Sequence, residues 1–345
     1  MNEMPHPNGN RLISIDFLRA LAIIIMVFAN TAPYIWGEEA PWVVRFMFSW
    51  AAPMFIFLAG YSSALGKSHN PGKLALRGVA VLAAGVFIDV FIWQLVPFVT
   101  FDVLYLLGIS LIISALLPLN IRALLLLSFF IIVAHTFVFD IFPYRFEVEE
   151  IKQTSCAKTP LLSSAKRCLW DGWFPLIPWL ALVLVGRAWA LMVKNRFVKP
   201  SVKSAVLWSL ATAVGIAVIA SQPEQPVRDG YLEVFYPAKI VFIITTLTGI
   251  VALWNASHSI EKHLGRAMNV LALLGRHSMF IYFMHAVLIS FVLESFLEPQ
   301  NTPIYFLLVI GMLIVLYGAA KALEIPRVAI LRKRIPPFIH WMFGF

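Results

Sequence analysis

The chain has 345 residues, of which 60% are apolar and 13% charged, and its mean hydropathy is +0.83. No soluble domain of this length needs so much apolar surface, so the composition excludes a water-soluble fold and points to an all-α integral membrane protein. The net charge of +9 reads as membrane topology, not nucleic-acid binding, because the basic residues gather on one side of the apolar runs.

The apolar runs are about 18–24 residues long and do not alternate, which selects helices over a barrel. They predict about ten spans, at 14–35, 43–65, 74–97, 102–119, 121–141, 172–193, 203–221, 235–254, 269–293 and 303–323 of one polytopic domain, 1–345. No small-residue cleavage site follows the first run, so it reads as a retained helix and not a signal peptide.

Span 1, RLISIDFLRALAIIIMVFAN, sets Asp16 and Arg19 in the mouth of an apolar helix and Asn30 roughly 17 Å further along nearly the same face. The segment after it, NTAPYIWGEEAPW, carries Glu38 and Glu39. In span 2 the glycines of FLAGYSSALG suit close helix packing. Asp89 lies late in span 3 within VFIDVFIW, Asp102 opens span 4 and His135 nears the end of span 5. Segment 142–171 holds the chain's two cysteines, Cys156 and Cys168. A bridge there is expected in an oxidising compartment and is worth about 2–3 kcal/mol.

Arg187 falls late in span 6 in LVGRAWA, and Lys239 falls early in span 8. Span 9, LLGRHSMFIYFMH, carries Arg276, His277, Tyr282 and His285. The tail 324–345 is basic through Arg327, Arg332, Lys333 and Arg334, as is the 6–7 connection through Lys194, Arg196, Lys199 and Lys203. This positive-inside pattern, with an even number of spans, predicts both termini in the cytoplasm and the loop 142–171 outside, in a plasma (inner) membrane.

Sorting the intramembrane polar residues by depth gives two sets, each of which is expected to be functional because charge in hydrocarbon is expensive. Arg19, Arg187 and Arg276 lie towards the cytoplasm, where three guanidinium groups can converge on a phosphorylated ligand. The plainer alternative is that each snorkels to headgroups, with Arg19 held by Asp16 one turn away. Asn30, Asp89, Asp102, His135, Lys239, Tyr282 and His285 lie towards the outside and include the groups needed for base catalysis and oxyanion stabilisation. Along an unbroken span 9, Arg276 and His285 are about 13–14 Å apart on roughly opposed faces. Pairing of Asp89 with Lys239 is the structural alternative for that carboxylate. Trp36, Trp42, Trp93, Trp170 and Trp173 suit an interfacial belt. There is no Walker A loop, HExxH, GxSxG or four-ligand metal cluster, so no metal is expected.

The opening RLISIDFLRALAIIIMVFAN resembles the R-x-x-S-[IVL]-D-x-x-R start of heparan-α-glucosaminide N-acetyltransferase-like proteins. FSWAAPMFIFLAGYSSAL, FDVLYLLGISLIISALLP, FPLIPWLALVLVGRAWA, YPAKIVFIITTLTG and LLGRHSMFIYFMHAVLI are similar to later family blocks in the same order. The resemblance implies transmembrane transfer of an acetyl group from cytoplasmic acetyl-CoA to a sugar on the far side. It matches Asp16, Arg19 and Asn30 in the first motif, and Arg276 and His285 in the last. Better-studied members carry a histidine after span 1, where this chain has Glu38 and Glu39.

The leading expectation is therefore a membrane acyltransferase. Arg19, Arg276 and Arg187, with Asp16 beside them, would hold acyl-CoA. Asn30 would stabilise the oxyanion, and His285, Asp89 or Glu39 would act as base on an envelope glycan or lipid-linked sugar. The competing class is a secondary transporter that uses the same charges as a substrate or ion site; matched half-repeats, its usual sign, are not evident.

Overall fold

A computed structural model describes residues 12–33, 40–65, 70–141, 161–222, 234, 238–293 and 302–325. In chain order the helices are α1 (Ile13–Thr31), α2 (Trp42–Phe48), α3 (Ala51–Ala64), α4 (Pro71–Ile88), α5 (Val103–Leu116), α6 (Ile121–Ile141), α7 (Leu161–Lys166), α8 (Leu176–Lys194), α9 (Val202–Ser221), α10 (Ile240–Arg276), α11 (Ser278–Leu288) and α12 (Thr302–Leu323). Wider π-helical turns extend α4 (Asp89–Trp93), α7 (Arg167–Asp171) and α11 (Ile289–Leu293). The fold is all-α, with no strand among the described residues.

Among the described residues, seven stretches are long and apolar enough to cross a membrane; α5, Ile121–Phe137 and Ser278–Leu293 are apolar but shorter. Local signals set several helix starts. Asn70 accepts from the Lys73 N–H at 3.0 Å ahead of Pro71, and Ser201 accepts from the Ser204 N–H at 3.1 Å. The expected span 102–119 ends early, because Pro118 pushes Leu117 into extended backbone (ψ 140°) and stops α5 at Leu116.

The expected boundary between spans 8 and 9, at 255–268, coincides with a kink at Leu264 (φ −115°, ψ 18°), directly before Gly265. The polar stretch NASHSIEKHLGRAM contains no proline, so helical residues continue on both sides of that kink, from Ile240 to Arg276. A second break falls at His277 (φ −105°, ψ 28°), between Arg276 and His285. Counting 100° per residue from one to the other therefore fails.

The interior forms around α8, whose apolar window is 78% buried, against 11% for α9 and 22% for α12. Helix α8 packs on α3 and α6, α1 packs on α10 and α3, and α4 packs on α5. In lipid, helices are held by close van der Waals packing, which small residues permit. A Cβ on Gly60 would lie 2.0 Å from the Val183 carbonyl oxygen, and one on Gly186 would lie 2.2 Å from that of Phe57. The α3–α8 crossing is thus backbone against backbone. Gly60→Ala is expected to lower the thermal unfolding temperature of detergent-solubilised protein by several degrees, because neither partner is a flexible side chain. Gly311→Ala, with nothing within 4 Å of the added atom, is expected to leave it unchanged or slightly raised.

Cys168 is a free, half-buried thiol, and burial pushes its pKa up. Cys156 and Glu39 lie outside the described residues.

Candidate active site at the two ends of α1

The N-terminal end of α1 packs against the C-terminal end of α10, where a Cβ on Gly275 would run into the Asp16 carbonyl oxygen, and α1 also packs on α3 and α12. Near it, Arg19 Nη1 pairs with Asp16 Oδ1 at 2.8 Å, one turn earlier on the same helix. Arg19 Nη2 also donates to the Ser62 hydroxyl of α3. The neighbouring Ser63 hydroxyl accepts from Arg187 Nη1 of α8 at 3.1 Å. Both serines turn back onto their own helix, to the carbonyls of Leu58 (2.6 Å) and Gly60 (2.7 Å). Two adjacent hydroxyls thus bring together arginines from two helices.

Arg187 is fully buried, and its Nε and Nη2 have no hydrogen-bond partner among the described residues. No carboxylate pairs with it among the described residues. A buried cation in this condition is costly, and an anion that completes it is correspondingly favoured. The third expected arginine, Arg276, forms an ion pair with Glu324 at 3.0 Å, just past the end of α12. The buried His277 lies 3.8 Å from the same carboxylate oxygen.

At the other end of α1, Asn30 Nδ2 lies 3.0 Å from His285 Nε2. His285 Nδ1 contacts the Tyr282 carbonyl, which can only accept, so Nδ1 carries the proton. In the neutral ring Nε2 then holds the lone pair, and the Asn30 amide donates to it. His285 is buried, whereas Asn30 is exposed, so the pair opens outward at the asparagine. The Tyr282 ring stands edge-on to His285, with centroids 5.0 Å apart.

Two carboxylates lie behind this pair. Asp89 accepts from the Tyr105 hydroxyl at 2.5 Å and Asp102 from the Tyr282 hydroxyl at 2.9 Å. The two acids are close enough to influence each other electrostatically. Asp89 is therefore held by a tyrosine and not by Lys239. Asp102 also caps α5 through the Val103 N–H at 2.6 Å. The loop that delivers it has Gln94, Phe98 and Phe101 in left-handed backbone (φ 53°, 64° and 51°), each at a cost of about 1–2 kcal/mol. Trp173 and Phe174 hold that loop, their N–H groups donating to the Thr100 (2.8 Å) and Phe101 (3.0 Å) carbonyls.

His135 is buried, with Nε2 donating to the Ala238 carbonyl at 3.0 Å, which ties α6 to the start of α10. Several site-lining residues were not singled out from the sequence. Ser62 and Ser63 sit beside the packing glycine Gly60 and Tyr105 in an apolar run, and none of the three stands out from its neighbours. A further buried pair joins Ser14 of α1 to His258 of α10, whose Nε2 accepts from the Ser14 hydroxyl at 3.0 Å while Nδ1 donates to the Trp254 carbonyl at 2.8 Å. Its only sequence signal is a histidine one helical turn after a tryptophan.

The family model described as heparan-alpha-glucosaminide N-acetyltransferase, catalytic, matches residues 11–220. That stretch includes Asp16, Arg19, Asn30, Asp89 and Arg187, while Arg276 and His285 lie beyond it. No curated protein matches the chain.

Proposed function

Because the chain belongs to the heparan-alpha-glucosaminide N-acetyltransferase catalytic family, we propose that it is a multi-pass membrane acyltransferase. It takes an acetyl group from acetyl-CoA at the Arg19 end of α1 and passes it to an amine or hydroxyl of an envelope glycan at the Asn30 end. The observation that carries this reading is the pairing of an anion-ready cluster and a base-ready cluster at opposite ends of one helix. The basic connections on the Arg19 side favour an inner-membrane orientation with that end in the cytoplasm, where CoA is available.

Arg187, with Arg19 across the two serines, grips the CoA phosphates. Asp16 holds Arg19 in place, and Arg276 stands nearby at the same end under the control of Glu324. At the far end the acceptor N–H or O–H displaces the Asn30 amide from His285 Nε2 and gives that nitrogen its proton as its heteroatom attacks the thioester carbonyl carbon. The Asn30 amide, released from Nε2, donates to the oxyanion. As the tetrahedral intermediate collapses, the C–S bond breaks and the CoA sulfur leaves, taking the proton back from the imidazolium as a thiol. Asp89, bonded to Tyr105 in the interior, backs this site and is less suited to be its base than the histidine that meets Asn30 at the opening.

The test uses purified protein in liposomes, with labelled acetyl-CoA on one side and glucosamine or an envelope-glycan fraction on the other. Label is expected in the acceptor across the bilayer, with saturable CoA binding by the same preparation. Folded protein that binds neither CoA nor acetyl-CoA would rule the reading out.

A further inference from the structure

We infer that Asp102 and Tyr282 are a positioning pair that sets the orientation of His285 without touching the reacting groups. This rests on the reading of His285 as the base. Helix α11, which carries His285, is only 11 residues long and lies between the break at His277 and the π-helical turn Ile289–Leu293. The break at its start sets it off from the rod of α10, and the π-helical turn extends it only to Leu293. Its aim must come from lateral ties.

One tie enters where it is needed. Tyr282 supplies the carbonyl that fixes His285 Nδ1, and its hydroxyl donates to Asp102 Oδ2 at 2.9 Å. Asp102 cannot yield easily. Its other carboxylate oxygen accepts from the Val103 N–H at 2.6 Å at the N-terminus of α5, where the helix dipole also favours negative charge. The backbone before it is held in left-handed conformations at Phe98 and Phe101 and tied to Trp173 and Phe174. A second tie joins the far end of the same segment to α4, the Ser290 hydroxyl donating to the Ile92 carbonyl at 3.1 Å. The line of support therefore runs from the strained loop through Asp102 and Tyr282 to His285, and from there to Asn30.

Tyr282→Phe keeps the ring against His285 and removes only the tie. It is expected to lower kcat for acetyl transfer by about 10- to 100-fold, the scale of a catalytic group misplaced by a fraction of an ångström to an ångström. The KM for acetyl-CoA and the thermal unfolding temperature are expected to stay close to those of the parent. Asp102→Asn keeps the cap through its amide oxygen and can turn its NH₂ to the tyrosine oxygen, so it is expected to retain more turnover than Asp102→Ala. A second readout is the ¹⁵N imidazole signature of His285, assigned by its loss in His285→Gln. The parent is expected to show an Nδ1-protonated ring with Nε2 hydrogen-bonded, and Tyr282→Phe a shifted or broadened Nε2 resonance as the contact to Asn30 loosens. Parent-like kcat and an unshifted Nε2 resonance in Tyr282→Phe would overturn the positioning role while His285→Ala stays inactive. Full turnover in His285→Ala would overturn the base assignment itself and the inference with it.

Discussion

Replacing Arg187 with methionine is expected to leave the unliganded protein at least as heat-stable as the parent while weakening acetyl-CoA binding roughly 10- to 100-fold. The two halves of this result have one cause. Arg187 is a buried cation without an ionic partner, bonded only to Ser63 through Nη1. Removing such a charge while keeping most of the side-chain stem relieves a desolvation cost and can stabilise a protein. The two unpartnered donors, Nε and Nη2, form one side-on edge of the planar guanidinium. They point the same way, as a phosphate requires for bidentate binding. Arg187→Lys offers a point charge without that edge and is expected to recover only part of the affinity. Thermal unfolding in detergent with and without CoA reads both effects, since a ligand that binds only the folded state raises its stability. A methionine variant that unfolds several degrees lower yet is still stabilised by CoA would make Arg187 a strut and not a ligand grip.

His285→Ala is expected to cut acetyl transfer by about 10²- to 10⁴-fold with CoA affinity unchanged, the range usual for loss of a general base. Asn30→Ala, which removes the oxyanion donor, is expected to lose about 10²- to 10³-fold. The two side chains are in direct contact at 3.0 Å, so they work as one unit. The double variant should then be little worse than the poorer single one. Steady-state kinetics on the reconstituted protein, with CoA binding measured separately, check all three variants. Losses that multiply in the double variant would mean that the two residues act in different steps. Undiminished transfer in His285→Ala would move the base elsewhere.

The sorting of polar residues by depth was legible from the sequence because it needs only the direction of each span. It placed Arg19 with Arg187, and Asn30 with His285, before any packing was known. It could not say which residues share a pocket. Arg276 falls at the expected end of the bundle, yet Glu324, which lies beyond the last apolar run, holds it. The drop in hydropathy between spans 8 and 9 marks the kink at Leu264, but the break at His277 lies inside an apolar, helix-compatible stretch and leaves no such mark. Ser62 and Ser63 escaped notice because small hydroxyls inside an apolar helix usually bond their own backbone, as these two also do. Asp102 and Tyr282 are 180 positions apart, and nothing local in either segment points to the other.

Helix α1 carries Arg19 and Asn30 with no interruption between Ile13 and Thr31. On the proposed reading, the point where the donor is gripped and the point where its bond is cut belong to one rigid rod, roughly 17 Å apart. No loop or hinge between them can adjust that interval. The helix is then a calliper, and it measures the carrier and not the cargo. Donors are sorted by whether the reach from their phosphates to their thioester fits the jaws, which leaves the size of the acyl group to be judged at the outer end alone.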